Sequence, residues 1–417
     1  MRRVITVPRA VDLLVREMEG MGVREVFGII GGQIMPFFDA LYNSNIKVYM
    51  FRHEQGAIHA ADAYGRVMRR PMTVVVTSGP GATNLLTGLA NAMMDSSPLI
   101  AITGQVPTAF FGRDAFQETD IVGATMPVTK HTFMVKRPED LVPPVYKAAY
   151  EISINGRPGP VVIDLPRDVQ LMDVDPTTVK SKVIRIARKE IPEPDPPSLI
   201  AYALKLLLTA ERPVMLVGGG VCWSGATDEV LTLAELIGMP IVTTLPGKNC
   251  VPSNHPLVMG PSGMHGRLEA DAAIINADVI LAVGTRFSDR TVGNFNEFRR
   301  GRKIIHIDID RSEIGKNVKP EVGIVGDAKA VLSTMIKLVP KALERRHEAF
   351  IKWLRGGIKE SYEEYRRRVD VNGFAPWRVL KVLREVMPPH SITTTGGLAA
   401  TRCGASFTGT SMCLGPS

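Results

Sequence analysis

Short apolar runs alternate along the chain with segments whose apolar residues recur every three to four positions. Val11, Leu14, Val15 and Met18 give the stretch from Ala10 to Met21 a helical period. Val26 to Ile30 reads as a buried strand, and the paired glycines Gly31 and Gly32 after it permit a sharp turn and close approach to a ligand. Pro36 then opens a helix, since proline is tolerated in a first turn. Further strands are expected at 48–51, 73–77, 99–103 and 161–165, with helices between them. The alternation predicts an α/β fold, a parallel sheet covered on both faces, over residues 1–180.

Residues 181–198 break this pattern. Lys182, Arg185, Arg188 and Lys189 precede Pro192, Pro194, Pro196 and Pro197, the composition of a stiff exposed linker. A second α/β unit is expected over 199–340, with strands at 214–217, 241–245, 279–283 and 303–308. No G-x-G-x-x-G fingerprint follows any of them. Three strands end instead in Gly218 and Gly219, in Gly284, Thr285 and Arg286, and in Asp308 and Ile309. Glycines there admit a flat or phosphorylated ligand, Arg can pair with a diphosphate and Asp can accept a ribose hydroxyl. Loop glycines beside a solvated Arg and Asp account for the same residues equally well. Residues 341–375 read as a charged helical connector, 376–396 as a new helix and strand, and 397–417 carry no period.

At 417 residues the chain exceeds one hydrophobic core, and 45% apolar with 22% charged residues is ordinary globular composition. No apolar run reaches bilayer length. Met1, Arg2 and Arg3 are basic, but Pro8 and the charges of Arg9, Asp12 and Arg16 interrupt any signal core. A cytoplasmic protein is expected, or an organellar one where a transit peptide precedes it. Four cysteines in so long a chain suggest neither a disulfide framework nor a metal site. The net charge of +8 suits anionic small molecules; the basic residues are scattered without an aromatic stripe, which argues against nucleic acid.

The candidate chemistry centres on Arg52 to Gln55, at a strand-to-helix joint where ligands bind open α/β sheets. Glu54 is either a buried acid with a tuned pKa or an ordinary first-turn acid offsetting the helix dipole. The neighbouring stretches tip the balance. Gly31 and Gly32 with Met35 and Pro36, Arg52 to Gln55, Thr77 to Asn84, and Ile102 to Pro107 resemble the thiamine diphosphate-dependent enzymes, specifically the large catalytic subunits of acetolactate synthase. Asp114 to Glu118, Thr129 to His131, Gly156 to Pro160, Gly263 to Gly266, Arg286 to Arg290 and His306 to Asp310 extend the resemblance from about residue 5 to about residue 396.

The resemblance implies a pyrimidine-binding domain over 1–180 and a central FAD-binding-like domain over 199–340. It implies decarboxylating condensation of two pyruvates, or pyruvate with 2-ketobutyrate, in branched-chain amino acid biosynthesis, through a thiamine ylide activated by Glu54. Gly31, Gly32, Ser78, Gly79, Pro80 and Asn84 would join Glu54 around thiamine. Phe116 and Gln117 would lie at the active-site mouth, Gln105 near the thiamine, and Lys130 and Arg290 near substrate or flavin, although capping or packing explains Gln105, Lys130 and His131 as well. His53 reads as positional. A structural FAD would be held by Arg157 reaching in from the first domain and by Gly218, Gly219, Gly220, Thr244, Leu245, Gly263, Met264, His265, Gly284, Thr285, Arg286, Asp308, Ile309, Gly326 and Asp327.

Homodimers or homotetramers and a small regulatory subunit are further implications; no nucleic-acid or membrane partner is expected. Relatives continue into a diphosphate-binding domain whose G-D-G and N-N motif holds Mg2+, and that motif is missing from this sequence. Residues 376–396 resemble the start of that domain, and 397–417 depart from it as a frameshifted tail would. The alternatives are therefore an inactive truncated remnant that folds and binds FAD, or another thiamine diphosphate carboligase or decarboxylase. Ile30, Gln33 and Asn249 differ from the residues usual in the family.

Overall fold

The computed structural model describes residues 7–141, 144–175, 195–340, 347–356, 376–388 and 391. Most of the expected linker and connector, the strand expected from residue 391 and the tail over 397–417 lie outside them. The chain divides into two compact units, Met1–Glu190 and Ile191–Ser417.

The first unit holds six parallel strands, β1 (Glu25–Gly28), β2 (Lys47–Met50), β3 (Met72–Val76), β4 (Leu99–Gln105), β5 (His131–Met134) and β6 (Pro160–Pro166), in the order β2-β1-β3-β4-β6-β5. Burial on both faces explains why β3, β4 and β6 are mostly apolar, with Thr73, Thr103, Gln105 and Asp164 as their buried polar exceptions. Within β3, Val75 packs with the helices Ala10–Gly20 and Pro144–Ile154, while Val74 and Val76 pack with Glu54–Met68 and Leu86–Asp95. The chain runs from β1 outward to β2, then crosses back to β3 and β4. The turns after β1 and β3 therefore flank a topological switch point, where a crevice opens at the carboxyl ends of the strands. β2 departs from expectation: it is an edge strand with Tyr49 and Met50 exposed, not a buried one, because among the described residues β1 alone pairs with it.

The second unit holds β7 (Pro213–Val217), β8 (Ile241–Thr243), β9 (Val258–Pro261), β10 (Val279–Val283), β11 (Lys303–Asp308) and β12 (Val322–Val325). All are parallel, in the order β12-β11-β10-β7-β8-β9. This is the strand order of a dinucleotide-binding sheet, with its switch point between β7 and β10, although the glycine fingerprint is missing. Cys222 and Cys250 are joined as a disulfide between the helix Gly219–Ser224 and the turn Lys248–Cys250, a pairing that the cysteine count gave no reason to expect. Among the described residues no helix is long and apolar enough to cross a membrane.

Three groups taken wholly or partly out of water couple stability to pH. Burial raises the carboxyls of Glu17 and Asp164 to about 7. Between the unfolded carboxyl range and pH 7 the folded chain then binds more protons than the unfolded one, so stability falls as pH rises through that window. Burial lowers His306 to about 4, which acts in the opposite sense: stability falls as pH drops from 6.5 toward 4. The difference between wild type and variant isolates the acids. Glu17→Gln is expected to gain relative stability, a few degrees in Tm, as pH is raised from 5 to 7. An unchanged difference across that range would contradict the assignment.

Candidate active site

Three turns build the first switch point. After β1, Ile29 N donates to Val75 O at 3.1 Å, and the chain turns at Gly31, where an added Cβ would lie 2.5 Å from Thr77 Cβ. The turn is tied across the crevice by Gln33 N donating to Thr77 Oγ1 at 3.3 Å. After β3, Thr77, Ser78 and Gly79 lead into the short helix Pro80–Thr83 and then Asn84. After β2, His53 caps the helix Glu54–Met68, its Nδ1 accepting from Gln55 N at 3.1 Å, which is the positional role expected of it.

Glu54 stands in the first turn of that helix, half-buried in this chain rather than buried. Asn84 Nδ2 donates to Glu54 Oε2 at 3.0 Å. On the other oxygen, a Cβ at Gly81 would sit 3.6 Å from Oε1 and 2.8 Å from Thr77 Cγ2, so glycine keeps that wall flat. Ser78 is fully buried and its Oγ has no hydrogen-bond partner. An oriented carboxylate, a glycine wall and an orphaned hydroxyl on adjoining turns fit a flat heterocycle with a protonatable ring nitrogen.

The loop from Gly112 to Glu118 leans on the glycine turn. Gly79 has φ +57°, and a Cβ there would lie 2.8 Å from Gln117 Cβ and 2.9 Å from Gln117 O. Gln117 and Asp114 themselves take left-handed backbones, φ 64° and 54°. Glu118 pins the loop by accepting from Gly112 N at 2.5 Å and Ala115 N at 3.0 Å, bonds that hold its carboxyl below the usual range. Phe116 projects from this loop 84% exposed.

Gln105 and Lys130 have structural partners. Gln105 is buried; its Nε2 donates to Thr119 O and Asp164 Oδ2, and its Oε1 accepts from Val106 N. Asp164 also accepts from Thr103 Oγ1 at 2.7 Å. Lys130 Nζ donates to Ile152 O and Asn155 O at the C-terminus of the helix Pro144–Ile154, where a cation offsets the dipole. Arg157 Nε donates to Ser96 Oγ at 2.8 Å, just past the end of the helix Leu86–Asp95. His131 is lowered by burial. Sequence reasoning passed over Ser78's isolation and the Asp164 cluster, because neither leaves a periodic signal.

In the second unit the turns after β7 and β10 meet backbone to backbone. Gly218 N donates to Val283 O and Gly220 N to Gly284 O, and a Cβ at Gly220 would lie 2.7 Å from Gly284 Cα. These glycines are thus required by the packing of the two turns. Thr285 is buried and Arg286 half-buried beside them, with His306 Nε2 donating to Thr285 O at 2.9 Å from below. Thr244 Oγ1 accepts from Gly247 N, while Leu245 and Met264 are exposed. Gly263, at φ +99°, is held by Asp271 Oδ1, and Met264 N donates to Arg290 O. His265 Nδ1 is buried without a partner. The exposed Arg290 guanidinium lies 3.6 Å from Asp289. Gly326 N donates to Asp308 O beside Ile309, and Asp327 caps the helix Ala328–Leu338 through Ala330 N.

Comparison with known proteins agrees with this geometry. The thiamine pyrophosphate enzyme N-terminal TPP-binding domain matches residues 8–124, and the thiamine pyrophosphate enzyme central domain matches 200–335. The chain belongs to the thiamine pyrophosphate enzymes. Within them it is related to the acetolactate synthase large subunits. It is 49% identical over 335 residues to a probable acetolactate synthase large subunit of Methanocaldococcus jannaschii, covering 79% of this chain and 56% of that protein. It is 42% identical over 386 residues to the acetolactate synthase large subunit of Corynebacterium glutamicum, covering 92% and 61%. With the acetolactate synthase of Mycobacterium bovis it shares 40% identity over 396 residues, covering 92% and 62%. The chain thus spans 56% to 62% of the length of these relatives.

Proposed function

We propose that this chain carries the pyrimidine-side half of an acetolactate synthase, which condenses two 2-keto acids with loss of carbon dioxide in branched-chain amino acid biosynthesis. The observation that carries the reading is the Glu54 carboxylate, oriented by Asn84 at 3.0 Å against the flat wall of Gly81. Bound thiamine diphosphate would supply a carbon nucleophile that adds to a keto-acid carbonyl and takes up the electrons left by decarboxylation. Glu54 would hold a proton at the pyrimidine ring nitrogen, and Asn84 would fix which carboxylate oxygen faces the ring. Ser78 Oγ would donate to a ring or exocyclic group, and Gly31 and Gly32 would let the backbone approach it. Phe116 and Gln117 would cover the reacting centre and exclude water.

FAD would be structural, lying over the turns Gly218–Gly220 and Gly284–Arg286, which meet backbone to backbone. What supports it is the strand order of the second sheet; Arg286 would pair with the diphosphate and Asp308 would accept from the ribose. Mg2+ would accompany the cofactor diphosphate. A homodimer or homotetramer, a small regulatory subunit and a cytoplasmic location complete the reading, and a second copy would cover the open side of Glu54.

The test joins this chain to the remaining portion of the Methanocaldococcus jannaschii relative and supplies thiamine diphosphate, Mg2+, FAD and pyruvate. Acetolactate, measured as acetoin after acid treatment, is the expected product. A fusion that binds thiamine diphosphate yet makes no acetolactate would reject the reading. Asn84→Leu in the same fusion is expected to lower kcat about tenfold or more, because a displaced carboxylate loses its alignment. An unchanged kcat would remove Asn84 from the site.

A further inference from the structure

We propose that Asp164 is a positioning residue for the loop Gly112–Glu118, which it latches through Gln105 while it holds a proton and loosens when the proton leaves. Asp164 lies near the carboxyl end of β6, wholly buried, in register with Thr103 of β4. Val106 N donates to Gln105 Oε1 at 2.9 Å, which sets the way the amide faces and leaves both Nε2 hydrogens for other acceptors. One meets Asp164 Oδ2 at 3.0 Å and the other Thr119 O at 2.8 Å. Thr119 directly follows Glu118, whose carboxylate braces the loop, and Gln117, which packs on Gly79. One buried amide thus ties the end of the loop to Asp164. A proton on Asp164 has its place at Oδ1, 2.7 Å from Thr103 Oγ1, while Oδ2 goes on accepting from Gln105.

Burial raises the Asp164 carboxyl to about 7, against the donors Thr103 and Gln105, and the charge of Asp120 acts in the same direction as burial. Asp120 caps the helix Ile121–Thr125. The other neighbours on this face are uncharged: Met134 from β5, Leu89 and Ala92 from the helix Leu86–Asp95, and Ile121. When Thr119 withdraws, Gln105 loses its far acceptor and water reaches the carboxyl, which returns to the ordinary range. The latched state therefore holds the proton more tightly than the released one. The latch is fully present below the ordinary carboxyl range and is lost as pH rises from there through 7.

The experiment is amide hydrogen exchange on the full chain at pH 5 and pH 7, corrected for the intrinsic pH dependence of exchange. It is read at Gly112, Ala115, Glu118 and Ile121, whose N–H groups are bonded within this loop and to Thr119 O. Their protection is expected to fall about tenfold or more from pH 5 to pH 7. Asp164→Asn mimics the protonated acid, with an oxygen for Gln105 and a hydrogen for Thr103. It is expected to keep the protection seen at pH 5 and to remove the pH dependence. Gln105→Leu is expected to lose the protection at both pH values, with thermal melts reporting the fold. Wild-type protection that does not change with pH overturns the latch. So does the same pH dependence in Asp164→Asn, or full protection in Gln105→Leu. The inference rests on the proposed reaction only for what the loop covers. In the fusion, the ratio of Asp164→Asn kcat to wild-type kcat is expected to rise from pH 5 to pH 7, and a constant ratio removes Asp164 from the reaction. A fusion that makes no acetolactate, while exchange behaves as expected, leaves the latch standing and rejects the reaction.

Discussion

Glu54→Gln, introduced into the fusion that restores the rest of a relative, is expected to reduce acetolactate formation by about a hundred- to ten-thousand-fold, the range for losing a positioned acid or base. The substitution is nearly isosteric. Its side-chain oxygen can still accept from Asn84, which donates to Oε2 at 3.0 Å, so the turn after β3 has no reason to move. What disappears is the exchangeable proton on the Gly81 side. A Glu54 that only offsets the helix dipole would behave differently. Neutralising it would cost about 0.3–1 kcal/mol of stability and leave turnover intact. Turnover within threefold of wild type, with Tm lowered slightly, would therefore assign Glu54 to the helix and not to the chemistry.

Gly79→Ala is the second large effect. Its backbone lies at φ +57° and ψ −121°, outside the left-handed helical basin, where a Cβ costs about 1–3 kcal/mol. The new methyl would also meet Gln117 Cβ at 2.8 Å and Gln117 O at 2.9 Å, and the obstacle includes main chain that cannot rotate away. The loop is braced by the two bonds to Glu118, so it must move as a body. A destabilisation of about 2–4 kcal/mol is expected from strain and overpacking together, with a larger fractional loss of kcat than of stability. Denaturant unfolding and steady-state kinetics measure the two separately. Wild-type stability would show that the loop does not rest on this turn.

The central strands were legible because they are buried on both faces: the runs at β3, β4, β6, β7 and β10 are mostly apolar, and β11 carries Ile304, Ile305 and Ile307. Three strands escaped the reading, and all are at sheet edges. β5 begins with His131 and Thr132, β9 contains Gly260 and Pro261, and β12 contains Gly323, so none shows an apolar run or a clean alternation. The second sheet's strand order was likewise hidden, since register between distant segments is set by packing and not by local period.

The joint at Glu54 and the glycine turn at Gly79 and Gly81, both singled out by the sequence, are neighbours in the fold. The bonding around them was not legible there. The Glu54–Asn84 bond spans thirty residues, and Gln105 is consumed by Thr119, Asp164 and Val106. Glycines after β7 and β10 also had a second cause: Gly218, Gly220 and Gly284 are demanded by the meeting of two backbones before any ligand is considered.

The most direct measurement is a crystal structure of the fusion grown with thiamine diphosphate, read for the distance from the Glu54 carboxylate to the nearest pyrimidine nitrogen. A separation of about 2.6–3.2 Å, with Asn84 still on the other oxygen, is the expected result. A thiamine ring seated elsewhere, with Glu54 facing bulk water, would contradict it.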